Sequence, residues 1–274
     1  MKDDAHNKAT TSLATDGAEV RLLARRAIAV LAANGSGRND GLARRLEQLF
    51  DAFVSADEQQ RHDMLLRLRQ DGVSTDDIID HIIPAVARLM GERWAGDDIS
   101  FADVTIGTAR LQEAVRALGW HDKSRQKIQE TAPLLLLIIP RPEHHTLGAF
   151  VLADQWRRMG FRVDIAMDQH PRQIAERLRK RRYAMIGITA SGRRTLASAR
   201  ELVDIIRVTV ARATPIFIGG SILDRDVDVL AITGADHTAR DAGTALRKCG
   251  LVDAGWEAPS LETSGNVGTR QERR

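Results

Sequence analysis

The sequence predicts a four-helix bundle followed by an α/β domain built on a doubly wound, parallel, five-stranded sheet. Three observations predict it. From residue 40 to 120, apolar residues recur at helical spacing with only short polar breaks. From residue 132 the period changes, and short apolar runs alternate with helical stretches. The unusual residues of the second half then fall directly after the predicted strands, where open parallel sheets bind their ligands.

Taken in order, residues 1–39 form a flexible N-terminus with an amphipathic helix over 18–33. Val20, Leu23, Ala27, Val30 and Leu31 lie on one side of it, Arg21, Arg25 and Arg26 on the other. Such a basic helix docks on a partner or an anionic surface, or caps its own domain. Asn34-Gly35-Ser36-Gly37 reads as a linker. Residues 40–120 are the bundle. The stretch 41–53 places Leu42, Leu46, Leu49, Phe50 and Phe53 on one face, and 57–69 repeats the pattern with Met64, Leu65 and Leu68. Ser74-Thr75-Asp76-Asp77 opens a third helix, in which Pro84 predicts a kink and which Gly91 and Trp94 close. Ser100 or Asp103 caps the fourth. Residues 121–132 read as a polar linker and 133–250 as the α/β domain. Its predicted strands are Leu134–Ile139, 161–166, 183–189, 215–218 and a short one at 234–237. The intervening helices are predicted at 148–159, 171–181, 195–210, 225–230 and 238–247. Residues 251–274 read as a disordered tail.

Composition narrows the function. No apolar run is long enough to cross a bilayer, the N-terminus lacks a secretory pattern, and the single Cys249 excludes an internal disulfide or a cysteine metal cluster. These features point to the cytoplasm. Net charge is only +3, yet arginines are grouped (Arg177, Arg179, Arg181 and Arg182; Arg193 and Arg194). Each group alone reads as a solvated helix face; together they leave contact with nucleic acid or an acidic partner open. At 4% aromatics, stacking platforms for single strands are not expected.

The candidate site starts at Arg141-Pro142-Glu143-His144-His145-Thr146-Leu147-Gly148, between the first predicted strand and its helix. An exposed imidazole there suits axial metal ligation, with His145 as the metal ligand, Glu143 holding the other ring nitrogen, and Gly148 admitting a bulky group. The plain alternative is a polar loop with two solvated histidines, and His144 is a weaker competitor as ligand. Thr189-Ala190-Ser191-Gly192 follows the third strand and Gly219-Gly220-Ser221 the fourth. In a flavodoxin-like strand order these loops face one ligand. A phosphoacceptor domain would need acidic residues where Pro140-Arg141 and Thr189-Ala190 stand. The G-x-G-x-x-G of dinucleotide folds and the Walker loop are both absent, and a zinc hydrolase would need more ligands.

Glu143-x-His145-x-x-Gly148, then Thr189-x-Ser191, then Gly219-Gly220, resembles the cobalamin-binding pattern D-x-H-x-x-G, S-x-L, G-G. The helical region resembles the cap preceding that domain in methionine synthase and in light-sensing cobalamin regulators, through Pro84, Gly91, Trp94 and the run 99–103. The resemblance covers about residues 40–249. It extends to the AerR/PpaA group of cobalamin-binding antirepressors, through Glu92-Arg93-Trp94, residues 100–107, and the acid-His-His order before Thr146. Departures are Glu143 for Asp, Thr189 for Ser and Ser191 for Leu. Val104 and Thr105 stand where the DNA-binding light sensors carry Glu-His, and no DNA-binding module precedes the cap.

The resemblance implies a fold in which His145 takes the axial position left by the dimethylbenzimidazole arm and Glu143 orients it. Thr189 and Ser191 would bond the buried base or its sugar, and Gly148, Gly219 and Gly220 would give room to the tail. Trp94 and Phe101 would cover the upper face. It further implies hydroxo- or adenosylcobalamin as cofactor and a non-catalytic, light-responsive regulator acting as antirepressor on a CrtJ/PpsR-type repressor. No membrane contact is implied, and an indirect or weak DNA contact stays open. The alternatives are a corrinoid methyl carrier of a methyltransferase system and a flavodoxin-like module without cobalamin.

Overall fold

A computed structural model describes residues 39–121, 128–210 and 214–253, together with Ala29. The predicted helix over 18–33 (apart from Ala29), the linker at Asn34–Gly37, most of the polar connection after 121 and the tail beyond 253 lie outside the described residues.

Helix α1 (Asn39–Val54) buries Leu46, Leu49, Phe50 and Phe53, the i, i+3, i+4, i+7 stripe of an amphipathic helix. Helix α2 (Glu58–Gln70) is capped by the Asp57 carboxylate, which accepts from the Gln60 amide. Helix α3 runs in three pieces. Thr75–Asp77 begins under the Ser74 cap, Ile78–Ile82 is a π-helical turn, and Ile83–Ala95 completes it. Pro84 sits at the start of the last piece. It has no N–H to give to the preceding turn, and the widened turn, in which the Ile83 amide reaches back to Ile78, absorbs that break. Gly91 lies inside this helix, and Gly96 is its C-cap. Helix α4 (Phe101–His121) starts where Ser100 and Asp103 exchange hydrogen bonds. Its Gly107 lets the chain lie against Met90, whose Sδ would sit 2.8 Å from an added Cβ. Arg110 of α4 donates to the carbonyls of Phe53, Val54 and Ser55 and so closes the open end of α1.

The second half is β1 (Leu134–Ile139), α5 (Leu147–Arg158), β2 (Arg162–Met167), α6 (Pro171–Lys180), β3 (Met185–Thr189), α7 (Arg193–Thr209), β4 (Ile216–Gly219), α8 (Val229–Thr233), β5 (His237–Thr238) and α9 (Ala242–Lys248). All pairings are parallel, in the order β2-β1-β3-β4-β5, which is the flavodoxin-like winding. Two predicted elements are corrected. In place of a helix at 225–230, a 3-10 turn at Ser221–Asp224 is followed by α8, whose N-cap is Asp228. The last strand is shifted to His237–Thr238, because Gly234 takes a left-handed conformation that ends α8.

Strand β1 is apolar throughout, and its side chains divide between two cores. Leu135, Leu137 and Ile139 join a cluster with Trp156, Phe217 and the bundle residues Met90, Leu111 and Val115. Leu136 and Ile138 join Ile186, Ile188, Leu196 and Leu202 on the other face. The sheet is thus covered on both sides, and one of its cores continues into the helical bundle. At the centre, Trp156 meets the Phe217 ring edge-on at 5.8 Å and donates its indole N–H to Ala242. Among the described residues no helix is long and apolar enough to cross a membrane.

Candidate functional site

The loop after β1 turns tightly because the Glu143 amide donates back to the Pro140 carbonyl. That turn buries the Glu143 side chain at 1% exposure and leaves the His145 side chain 81% exposed. One carboxylate oxygen serves three partners. Oε1 of Glu143 accepts from the His145 amide at 2.7 Å, faces the His145 Nδ1 at 3.2 Å, and accepts from the Ser191 hydroxyl at 2.9 Å. Ser191 Oγ itself lies 3.2 Å from Nδ1. The arrangement pins one ring nitrogen on protein and turns Nε2 to the outside, which is what an axial imidazole needs.

The electrostatics agree. Burial pushes the Glu143 carboxyl up, but the hydrogen bonds from the His145 ring and amide and from Ser191 outweigh it, and its pKa lies below the ordinary glutamate value. The bond to Glu143 raises the His145 pKa against the opposing effects of burial and of nearby Arg225.

The other predicted residues divide. Thr189 ends β3 opposite Gly219 of β4, and its hydroxyl is buried with no hydrogen-bond partner. The second oxygen of Glu143 is also buried and unpartnered. Buried polar atoms of this kind call for a ligand or water. Space is open over Gly148, where an added Cβ would meet nothing within 4 Å. Gly220 is required by the chain itself, and Gly219 is closely hemmed in. Gly220 has φ of +104°, and a Cβ there would lie 2.4 Å from the Ala190 carbonyl oxygen; one on Gly219 would come within 3.1 Å of the Ala239 carbonyl oxygen. Trp94 and Phe101 sit across the α3–α4 corner, ring centres 6.1 Å apart and both exposed. The Ser191 hydroxyl is engaged with Glu143 and His145.

Two features of the site were not foreseen. Arg141 reaches Asp168 at 3.1 Å and the His170 ring, tying the loop to the end of β2. The Thr146 hydroxyl accepts from no backbone amide of its own helix; it accepts instead from the Gln112 side-chain amide of α4. The Thr before an apolar run was a readable cap signal, but its partner lies 34 residues away.

A corrin fits these residues. Among the described residues no three His, Cys, Asp or Glu side chains are grouped to hold a bare metal ion, whereas a metal already ringed by four corrin nitrogens needs a single imidazole. The unpartnered Thr189 hydroxyl and the open space over Gly148 suit a buried polar tail and a broad ring.

Comparison with known proteins places the chain. Residues 134–247 match one B12 binding domain family and residues 45–118 a second family also described as B12 binding domain. An uncharacterized 20.5 kDa protein of the bchF-crtJ intergenic region of Rhodobacter capsulatus is 31% identical over 180 residues, which is 66% of this chain and 94% of that protein. The monomethylamine corrinoid protein of Methanosarcina barkeri has the same fold, with a TM-score of 0.60 at 17% identity over 74% of this chain and 95% of that one. With a helical domain, a flavodoxin-like sheet and both family matches in one chain, this protein belongs to the cobalamin-binding family, in its AerR/PpaA type.

Proposed function

We propose that this chain is a cobalamin-dependent, light-responsive regulator, without catalytic activity of its own, that relieves a CrtJ/PpsR-type repressor by protein contact. The observation that carries the corrinoid part is the exposed His145 imidazole held from behind by buried Glu143 and by Ser191. The regulatory part is supported by the relative from the bchF-crtJ intergenic region. When bound, adenosylcobalamin supplies a cobalt–carbon bond that light breaks. His145 would hold the cobalt through Nε2, and Glu143 would fix its tautomer. Thr189 offers its hydroxyl to the tail, and the free space over Gly148 admits the ring's edge. Trp94 and Phe101 would supply an apolar cover for the ring, and Val104 and Thr105 beside them would offer no imidazole. A change in that cover alters the surface of the α3–α4 corner and, with it, partner affinity.

The test is an absorption spectrum of the protein after incubation with hydroxocobalamin and desalting, beside His145→Ala. The expected result is a red-shifted corrin spectrum kept by the wild type and lost or weakened in the variant. A colourless wild type sinks the reading. Adenosylcobalamin in dark and light, with a CrtJ/PpsR-type repressor present, tests the regulatory half: light-dependent complex formation supports it. Methyl transfer with a partner methyltransferase would instead favour a corrinoid methyl carrier, the reading to which the fold likeness to the methylamine corrinoid protein lends support.

A further inference from the structure

We propose that Gln112, on the bundle helix α4, is a positioning residue for the axial ligand: it holds the His145 loop in its ligating shape through Thr146. The inference rests on His145 being that ligand.

Thr146 occupies the N-cap position of α5. A threonine there ordinarily adopts extended backbone angles and turns its hydroxyl onto the helix's own free amides, which is worth about 1 kcal/mol. Thr146 does neither. Its backbone is helical, at φ −96° and ψ −19°, and its side chain makes no cap hydrogen bond. The hydroxyl instead receives the Gln112 side-chain amide from the other domain. Thr146 is buried, so the choice is not one between protein and water.

The backbone over residues 144–146 is therefore set from two sides. The His145 amide is bound to Glu143, and the Thr146 amide donates to the His144 carbonyl. Thr146 Oγ1 is fixed on α4. Without Gln112, Thr146 is free to rotate into the ordinary cap geometry. That rotation swings the shared peptide plane and carries the His145 ring away from Glu143 and Ser191.

The rest of α5 shows why α4 is a firm reference. Arg116 of α4 stacks over Phe150 at 5.4 Å. At the far end Arg158 meets Asp80 at 2.5 Å and Asp76 at 3.5 Å on α3, and Gln155 also donates to Asp80. The bundle grips α5 at its start, middle and end, and Gln112 is the grip nearest the imidazole.

The experiment titrates hydroxocobalamin into the full chain carrying Gln112→Leu, Thr146→Val, both together, Gln112→Glu and Thr146→Ser, with wild type and His145→Ala alongside. It reads the dissociation constant and, after reduction to the cobalt(II) form, the imidazole-nitrogen splitting in the electron paramagnetic resonance spectrum. Gln112→Leu is expected to weaken binding about tenfold, the lower end of what loss of a ligand's supporting partner costs, and to reduce the nitrogen splitting. Thr146→Val should do the same, with the double variant no worse than either single one, because both remove one bond. Gln112→Glu and Thr146→Ser keep a hydrogen-bonding pair and should stay close to wild type. Thermal melting identifies any variant that fails to fold; the two conservative variants then decide, and weak binding by well-folded Gln112→Glu and Thr146→Ser overturns the proposal. So does wild-type affinity and splitting in Gln112→Leu while His145→Ala has lost both, and that outcome leaves the axial role of His145 intact. A wild type that retains no corrinoid overturns the axial role and the positioning role together.

Discussion

At the scale of single residues, Oε1 of Glu143 meets the His145 amide, the His145 ring and the Ser191 hydroxyl, while Oε2 stays buried without a partner. Glu143→Gln keeps the shape but removes the charge that favours an Nδ1–H, so hydroxocobalamin affinity should fall about 10- to 100-fold, read by spectroscopic titration. Ser191→Ala should cost less, because Glu143 still holds the ring. Gly220→Ala tests a different requirement. At φ +104°, with the Ala190 carbonyl 2.4 Å from the added atom, it should cost about 1–3 kcal/mol of stability, measured by denaturant unfolding of the protein without corrinoid. The pairing of Glu143 with His145 was legible in the sequence because the two stand two apart at a strand end. The engagement of Ser191 was not, since its partner lies 48 residues away and only the neighbouring placement of β1 and β3 joins them. The sequence reads Gly220 as room for a ligand; the chain's own approach to Ala190 is a second demand on it that only the fold shows.

Among the elements, α3 and α4 both grip α5 and so join the two halves. Arg158 is mostly buried among the carboxylates of Asp76, Asp80 and Asp154. Removing one partner from a buried ionic group leaves the others to bear its desolvation. Arg158→Ala should therefore destabilise the fold by about 3 kcal/mol, seen as a lower urea midpoint with an unchanged slope. The sequence announced both helices through their apolar spacing, and it announced a disturbance at Pro84. It did not announce that the disturbance takes the form of a π-helical turn carrying Asp80 toward Arg158, because propensity does not report which tertiary partner rewards a widened turn. The misplaced helix at 225–230 has a local cause: the helix starts only after Asp228, whose carboxylate accepts from the Ala231 amide.

For the molecule as a whole, one core runs from the bundle through α5 to the sheet. Separate unfolding of the two halves would expose it, so the full chain should melt in a single transition seen alike by far-ultraviolet dichroism and by tryptophan fluorescence. A piece containing only residues 128–253 should unfold without a sharp transition. The two-part architecture was readable from the change of apolar period near residue 132; the shared core was not, since each half has enough apolar residues to look self-sufficient. The division of β1 between two cores also bears on how the chain finds its fold. In a strand reading Leu-Leu-Leu-Leu-Ile-Ile, a slip of one position trades one leucine for another on both faces, and hydrophobicity scarcely tells the two pairings apart. The information must come from the ends. Pro133 and Pro140 bracket the strand and cannot donate to a ladder, and only the native alignment brings Glu143 to Ser191. The residues assigned to holding a cofactor thus also act as a ruler, marking for the folding chain where its central strand begins and stops.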